Sequence, residues 1–289
     1  MTESDVSVII PAYNEAGSIG KVVKKIRDLY PDFEIIVVND GSSDETGQVA
    51  KDAGAIVYNH PYNVGNGAAI KSGIRIASGE VLVLMDADGQ HDPGDIAKLI
   101  EFFPEYDMVV GARPRKAQAS FFRGLGNRVF NWLASYVAKF RVEDLTSGFR
   151  AVKADVARKF VYLLPNTYSY PTTLTLAVLR EGRCVKYIPV TVHTRKQGKS
   201  RIRLLRDGAR FIIIITKICA LYSPFRIFLP VSLFLFLLGL GYYIYTFFVW
   251  HRFTNMSALL FTTSVIIFMM GLVSEQITQM RFETDEYEK

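Results

Sequence analysis

Two long uncharged stretches near the end of the chain place the strongest limit on how it folds. Ile227 to Val249 and Met256 to Ser274 contain no Asp, Glu, Lys or Arg over 23 and 19 residues. An α-helix needs roughly 20 apolar residues to cross the hydrocarbon of a bilayer. A buried core helix is the alternative, but two such stretches in tandem, after enough ordinary sequence for a complete domain, favour two transmembrane helices.

The basic residues around these stretches predict their orientation. Nine Lys and Arg residues lie from Arg195 to Arg226, whereas the loop between the stretches holds only Arg252. Positive residues stay on the cytoplasmic side, which predicts a multi-pass protein of the cell membrane whose large first domain is cytoplasmic. The predicted order is a domain at 1–200, a basic interfacial helical segment at 201–226, two spans with a short outside loop within 227–274, and a cytoplasmic tail at 275–289.

The net charge of +6 fits the same interpretation. Basic residues next to a span are attracted to an anionic membrane surface. A basic stripe with interleaved aromatic residues would instead indicate nucleic-acid binding, and the sequence has none. We therefore expect the membrane, and no nucleic acid, among the partners.

Short apolar runs alternate with helical periodicity through the first 110 residues. Alternation of this kind predicts an α/β fold with a mostly parallel sheet covered by helices on both faces. The predicted strands are 6–10, 34–38, 55–58, 81–85 and 108–110. The predicted helices are 19–29, capped by Ser18, then 43–53, 68–77 and a segment after Pro93.

Polar clusters follow three of these strands, at Pro11–Glu15, Asp40–Ser42 and Asp86–Gln90. Open α/β sheets bind ligands at the carboxyl ends of their strands. Turn formation explains Gly and Ser at such places, but it explains Asp86 and Asp88 poorly. In an extended chain Asp86, Asp88 and Gln90 would lie on one side, because side chains alternate. Oxygen ligands of this kind suit Mg²⁺ or Mn²⁺ beside a substrate phosphate.

Other motifs restrict the chemistry. The glycine-rich dinucleotide loop is missing after the first strand, and no Walker lysine motif occurs. Hydride transfer and ATP hydrolysis are therefore disfavoured, and transfer of a group from a nucleotide diphosphate remains. His91 is a softer candidate ligand, for which a capping or packing role is an equal alternative.

Five motifs in a fixed order resemble a known family. They are Pro11-Ala12-Tyr13-Asn14-Glu15, Asn39-Asp40-Gly41-Ser42-Ser43-Asp44, Asp86-Ala87-Asp88-Gly89-Gln90-His91, Thr146-Ser147-Gly148-Phe149-Arg150 and the segment 195–201. Together they resemble the family-2 inverting glycosyltransferases with a GT-A fold. Within that family the sequence looks most like dolichyl-phosphate mannose synthase and the bacterial polyprenyl-phosphate glycosyltransferases.

The resemblance implies a set of site residues. Nucleotide binding is implied for Pro11, Ala12, Tyr13, Glu15, Asp40, Asp86, Ala87 and Asp88. Metal binding is implied for Asp86, Asp88 and Gln90, with Mg²⁺ or Mn²⁺ as the cofactor. Catalytic roles are implied for Asp88, Arg113, Arg123, Arg128 and Arg195. Binding of the acceptor phosphate is implied for Arg123, Arg128 and Ser200.

The implied reaction is inverting transfer of one hexose from GDP-mannose or a UDP-hexose to dolichyl or undecaprenyl phosphate. A phosphate acceptor is already ionised at neutral pH and needs no strong general base. Asn66, Arg201 and the segment Tyr170-Pro171-Thr172-Thr173 depart from the family pattern. The last departure leaves the identity of the sugar open.

Residues 121–140 have the pattern of an amphipathic helix. Apolar residues recur at spacings of three and four, with basic and amide residues on the other side, so a helix in the membrane interface is predicted. A core-facing helix is the alternative. The apolar positions are Phe122, Leu125, Val129, Leu133, Tyr136 and Phe140.

Three other functions compete with this interpretation. A processive polysaccharide synthase would carry a Gln-x-x-Arg-Trp signature, which neither Trp132 nor Trp250 completes. A non-catalytic sugar-nucleotide-binding membrane protein would not need the carboxylate cluster. A channel or flippase would need ionisable residues inside the spans, and neither uncharged stretch contains an Asp, Glu, Lys or Arg. Homo-oligomer formation is left open.

Overall fold

The computed structural model describes residues 5–113, 131–132, 134–136, 139–167, 169–191 and 224–287, with side chains described to residue 280. The chain divides into two compact units, Met1–Ile202 and Arg203–Lys289. Each unit is described by itself.

The first unit is a seven-stranded sheet with helices on both faces. Its strand order is β3-β2-β1-β4-β6-β5-β7. The strands are β1 Val6–Ala12, β2 Glu34–Asn39, β3 Ile56–Asn59, β4 Val81–Leu84, β5 Met108–Ala112, β6 Arg150–Lys153 and β7 Val185–Pro189. The helices are α1 Ala16–Leu29, α2 Thr46–Asp52, α3 Asn66–Ile76, α4 Ile96–Ile100, α5 Ala154–Phe160 and α6 Tyr170–Arg180, with 3₁₀ turns at Pro93–Asp95 and Val161–Leu163.

One strand runs against the others, and this positions the site. Strand β6 pairs antiparallel with β4 on one side and with β5 on the other. Arg150, its first residue, is opposite Leu84 at the end of β4 and opposite Val110 in β5. The start of β6 therefore lies at the same sheet edge as the carboxyl ends of the parallel strands.

Both faces of the central part of the sheet are buried, which is why strands β1, β2, β4 and β5 are nearly continuous apolar runs. Val8, Ile10 and Val83 belong to one apolar cluster, and each is 0% exposed. On the opposite face Ile9 packs against α3, where a Cβ added to Gly73 would lie 2.3 Å from Ile9 Cγ2. The close approach of α3 to β1 thus depends on a residue without a side chain.

The predicted mostly parallel α/β fold is confirmed, with the five predicted strands found within two residues of their expected ends. The predicted cap at Ser18 is wrong. Helix α1 begins at Ala16, and the Ser18 hydroxyl donates within the first turn to the carbonyl of Glu15 at 3.2 Å. Helix α2 begins at Thr46 rather than at residue 43, and the Asp44 carboxylate accepts from the Thr46 N–H at 3.1 Å. Strands β6 and β7 and helices α5 and α6 were not predicted.

The second unit contains an antiparallel pair of long helices, α7 Phe225–Trp250 and α8 Asn255–Tyr287. Both are apolar enough to span a membrane, over Phe225–Trp250 and Asn255–Met280. Their apolar windows are only 11% and 17% buried, which is unlike the core helices of a soluble protein. Ser232 and Ser264 join them, each hydroxyl donating to the other residue's carbonyl at 3.0 and 2.9 Å. Hydroxyl pairs of this kind are a common link between helices in lipid.

Candidate active site

The carboxylate cluster lies in a turn beyond the end of β4. The strand stops at Leu84, the backbone turns at Ala87-Asp88, and Gly89 has φ +70°. Asp88 Oδ1 accepts from the N–H of Gln90 at 3.1 Å. The prediction that these residues alternate along an extended chain is therefore wrong. Asp86 and Asp88 are both half-buried, and Ala87 between them is buried.

Gly148 lies directly against the Asp86 carboxylate. The β4–β6 register pairs Leu84 with Arg150, and continuing it by two residues places Asp86 opposite Gly148. A Cβ at position 148 would lie 2.7 Å from Asp86 Oδ2 and 3.2 Å from its Cγ. The position of Asp86 therefore requires glycine at this point of the neighbouring segment.

Arg113 is held by Asp144. Its Nε and Nη2 donate to the two Asp144 oxygens at 2.8 and 3.0 Å, and Nη2 also donates to the Thr146 hydroxyl. Burial alone would raise the pKa of Asp144, but the bonds and charge of Arg113 outweigh it and hold that pKa below its usual value. The pair holds residues 144–146 against the end of β5. A contact between Arg113 and a phosphate stays a prediction.

Arg150 is the largest fully buried side chain in the described part of the chain, at 0% exposure. Its guanidinium donates to the carbonyls of Ser147 and Pro171 and to the Thr175 hydroxyl, the last two at 2.8 and 2.9 Å. Burial lowers the pKa of Arg150, and the nearby charges of Asp144 and Asp86 act in the opposite direction. Sequence reasoning placed Arg150 in a motif but gave it no role. Its donors tie the start of β6 to the start of α6, beneath the carboxylate turn.

His91 packs rather than projects into the site. It is 6% exposed and its ring stacks on Phe149, with centroids 5.0 Å apart and planes at 24°. Burial lowers its pKa below the usual histidine value. Of the two interpretations drawn from the sequence, the geometry favours packing.

Asp40 is buried at the end of β2 and all of its acceptor contacts are internal. Its Oδ1 lies 2.6 Å from His60 Nδ1 and accepts from the Val64 N–H at 3.0 Å. Its Oδ2 accepts from the Gly65 N–H at 2.8 Å. His60 Nε2 lies 2.9 Å from the Ser72 hydroxyl in α3. The carboxylate thus fixes the loop that follows β3, a contact that sequence reasoning missed because His60 is 20 residues away.

The residues after β1 meet those after β2. Pro11 and Ala12 are buried as the last two residues of the strand, and Tyr13 is 37% exposed. The Asn14 N–H donates to the Ser42 hydroxyl at 3.0 Å, and Asn14 Oδ1 accepts from the Ser43 N–H at 2.9 Å. The Glu15 N–H donates to Thr46 Oγ1 at 2.9 Å. The structure therefore places the predicted nucleotide residues Tyr13, Glu15 and Asp40 at adjoining strand ends.

The backbone N–H groups at the glycine-rich start of α3 donate to a carbonyl of the same chain. The carbonyl of Asn166 accepts from the N–H groups of Gly67 and Ala68 at 3.0 and 3.3 Å. These are the donors that a helix N-terminus offers to a phosphate. In this structure they are used to attach the segment before α6.

Four predicted site residues, Arg123, Arg128, Arg195 and Ser200, lie outside the described residues, as do all of 201–223 and all of 121–130. Residues 131–132 and 134–136 are helical, but Lys139 has φ +52°. The predicted helix therefore ends before Phe140. Trp132 and Tyr136 are exposed and stack on each other, with centroids 6.2 Å apart.

A divalent cation is compatible with the donor set at the carboxylate turn. In the described part of the chain, no group of three or more His, Cys, Asp and Glu side chains could hold a metal ion. Mg²⁺ commonly uses only one or two protein carboxylates and takes its other ligands from substrate phosphates and water. Asp86, Asp88 and the Gln90 amide fit a cation bound together with a diphosphate.

Comparison with known sequences finds family models that match both the first domain and the pair of apolar helices. Residues 7–162 match Glycosyl transferase family 2, and residues 223–280 match the GtrB C-terminal hairpin. The chain is 31% identical to an uncharacterized protein of Methanocaldococcus jannaschii, over 67% of this chain and 84% of that one. It is 29% identical to an undecaprenyl-phosphate mannosyltransferase of Micrococcus luteus, over 68% and 87%.

Solved structures share the architecture. A glucosyl-3-phosphoglycerate synthase from Mycobacterium tuberculosis, in complex with Mg²⁺ and UDP, is 21% identical with a TM-score of 0.60. The match covers 74% of this chain and 79% of that one. At this identity the likeness concerns the GT-A fold. From the sequence match, the sheet and the carboxylate turn together, the chain belongs to glycosyl transferase family 2.

Proposed function

We propose that this glycosyltransferase moves one hexose, with inversion, from a nucleotide-diphosphate sugar to a polyprenyl phosphate at the cytoplasmic face of the membrane. The observation that carries the proposal is the Asp86-Ala87-Asp88 turn at the carboxyl edge of a family-2 domain whose chain continues into two apolar helices. Relatives named undecaprenyl-phosphate mannosyltransferase and dodecaprenyl-phosphate galacturonate synthase support the acceptor class. GDP-mannose and UDP-hexoses both remain candidate donors.

Different residues are assigned to the donor diphosphate and to the acceptor phosphate. Asp86, Asp88 and Gln90 would hold Mg²⁺ or Mn²⁺ with the donor diphosphate. A cation there stabilises the negative charge that grows on the departing diphosphate. Gly148 keeps Asp86 in place from the neighbouring segment, and the Arg113–Asp144 pair fixes the backbone that follows.

The acceptor would be held by arginines near the membrane surface. We assign Arg123, Arg128 and Ser200 to the lipid phosphate and Arg195 to either phosphate, as the family resemblance implies. Because the acceptor oxygen is already anionic, the main tasks of the site are to bring two anions together and to exclude water. Asp88 need not accept a proton.

Transfer assays on the full-length protein in lipid nanodiscs test the proposal. A panel of radiolabelled nucleotide sugars is offered with Mn²⁺ and polyprenyl phosphate, and label in the lipid fraction is counted. We expect one donor to label the lipid, and Asp88→Ala to abolish labelling without loss of folding. Asp155→Ala, an exposed carboxylate in α5, is the matched control. Labelling by Asp88→Ala near the control rate, or full labelling in excess chelator, would exclude the metal role, and no labelled lipid from any donor would exclude the reaction.

A further inference from the structure

Tyr62 is an exposed aromatic residue to which the proposed function assigns no role. It lies at the edge of the sheet where the predicted nucleotide residues follow β1 and β2. It is 68% exposed, more than any other large hydrophobic side chain described in the first unit. It follows β3, whose carboxyl end adjoins that of β2. Single exposed aromatic residues are common and need no explanation by themselves. Tyr62 differs because the backbone that carries it is tightly held.

The loop around Tyr62 is anchored to the end of β2 on both sides of the residue. Before it, the His60 N–H donates to the Asn39 carbonyl at 2.9 Å, and the His60 ring contacts Asp40. After it, Asn63 Nδ2 donates to the Asp40 carbonyl at 3.3 Å, and the next two N–H groups donate to the Asp40 carboxylate. A rigid backbone that presents an exposed ring is pre-organised for binding, because little further order is lost when a ligand arrives.

The backbone of Tyr62 also lies directly over the turn after β2. A Cβ at Gly41 would lie 2.3 Å from the Tyr62 carbonyl carbon and 2.5 Å from the Asn63 nitrogen. Gly41 has φ +67°, so both its conformation and this contact require glycine. Tyr62 is therefore fixed beside Asp40-Gly41, at the turn where the predicted nucleotide residues converge.

The contacts described for the Asp40 carboxylate are with the loop around Tyr62. The Asp40 side chain is 3% exposed and its oxygens accept from His60, Val64 and Gly65. The residue therefore acts as a positioning residue for the loop.

A second exposed tyrosine stands on the other side of the same turn. Tyr13 follows β1 and is 37% exposed, and β2 lies between β1 and β3. Strands two positions apart are separated by roughly 9.6 Å. A flat ring held between two others needs about 7–8 Å from the first ring to the last, at contact distances of about 3.5–4 Å. The backbone spacing of the two strands is therefore of the order that a ring held between two tyrosines requires.

We propose that Tyr62 stacks on the nucleobase of the donor, opposite Tyr13, and so contributes to donor affinity without contacting the diphosphate. This inference rests on the proposed function, since it names a further contact of the same nucleotide site. Stacking on an aromatic face tolerates any base, so Tyr62 provides affinity, and hydrogen bonds elsewhere select the base.

The test is calorimetric titration of the full-length protein in nanodiscs with UDP or GDP and Mn²⁺. Tyr62→Ala should weaken binding by about 5- to 150-fold, the range expected for one base–aromatic stack. Tyr62→Phe keeps the ring and should bind like the unaltered protein. Tyr162→Ala, which removes another exposed tyrosine of the first unit, is the matched control. Inorganic pyrophosphate with Mn²⁺ serves as a probe that lacks a base, and its affinity should be equal in all four proteins.

The outcomes separate this inference from the function beneath it. Equal nucleotide affinity in Tyr62→Ala and the control overturns the stacking role and leaves the proposed function standing. Equal weakening of nucleotide and pyrophosphate also overturns it, because the loop would then act on the phosphates. Failure of the unaltered protein to bind either nucleotide overturns both.

Discussion

Replacing Gly148 with alanine should displace the Asp86 carboxylate while leaving the fold intact. The new Cβ would lie 2.7 Å from Oδ2, and ordinary contact begins at 3.4 Å, so the oxygen must move by the difference of 0.7 Å. Asp86 is half-buried and can shift toward solvent. We therefore expect the free energy of unfolding to fall by only about 1 kcal/mol, the low end for overpacking. A displacement near 1 Å in a reactive site costs about 100-fold in rate, so transfer should fall by roughly 10- to 100-fold.

The assay compares transfer rate, the Mn²⁺ concentration for half-maximal rate and the melting temperature. Gly20→Ala is the matched control, because its Cβ would lie 2.9 Å from a Val49 methyl in the contact between α1 and α2, away from the carboxylate turn. Gly148→Ala should lose rate and require more Mn²⁺, whereas Gly20→Ala should keep both. Unchanged rate and Mn²⁺ dependence in Gly148→Ala would refute the placement of Asp86, and equal losses in both variants would reduce the effect to general overpacking.

Three further predictions concern the acceptor, the topology and stability toward acid. Arg128→Ala should raise the apparent KM for polyprenyl phosphate about tenfold or more, from the strength of one charge-assisted bond, and spare donor binding; the reverse pattern would place this residue at the nucleotide. A cysteine at position 252 should react with an impermeant reagent added outside intact cells and one at position 51 should not; labelling at 51 alone would invert the orientation. Asp107 accepts from Lys153 Nζ at 3.0 Å and from the Cys184 N–H at 2.9 Å. Burial would raise its pKa, but these bonds outweigh burial and hold the pKa below its usual value. Its stabilisation is therefore complete above the unfolded carboxyl pKa of about 3.9 and is lost as pH falls through the lower folded value. The melting temperature should then drop less between pH 5 and pH 3 in Asp107→Asn than in the unaltered protein, and equal drops would contradict this.

Local patterns predicted the first half of the domain well. Strands β1, β2, β4 and β5 are apolar because both faces of the sheet are covered there. The length of each apolar run can be read from the sequence without knowing which strand pairs with it. Strands β6 and β7 escaped prediction. Strand β6 is only four residues, Arg150–Lys153, begins with an arginine and ends with a lysine, so no apolar run marks it. Its burial comes from insertion between β4 and β5.

The sequence by itself indicated the candidate site residues and determined roughly where the chain changes from a globular domain to apolar helices. Ordered motifs predicted polar clusters after β4, at Asp86–Gln90, and at the ends of β1 and β2, because strand ends are local features, but they did not predict that Asp86–Gln90 forms a turn. Only the tertiary structure decided how these residues meet. The contact of Gly148 with Asp86 depends on the antiparallel pairing of β4 with β6, across more than 60 residues. The hydrogen bonds between Asp40 and the loop around Tyr62 depend on the parallel pairing of β2 with β3. Such contacts follow from sheet register, which no periodicity within a single segment encodes.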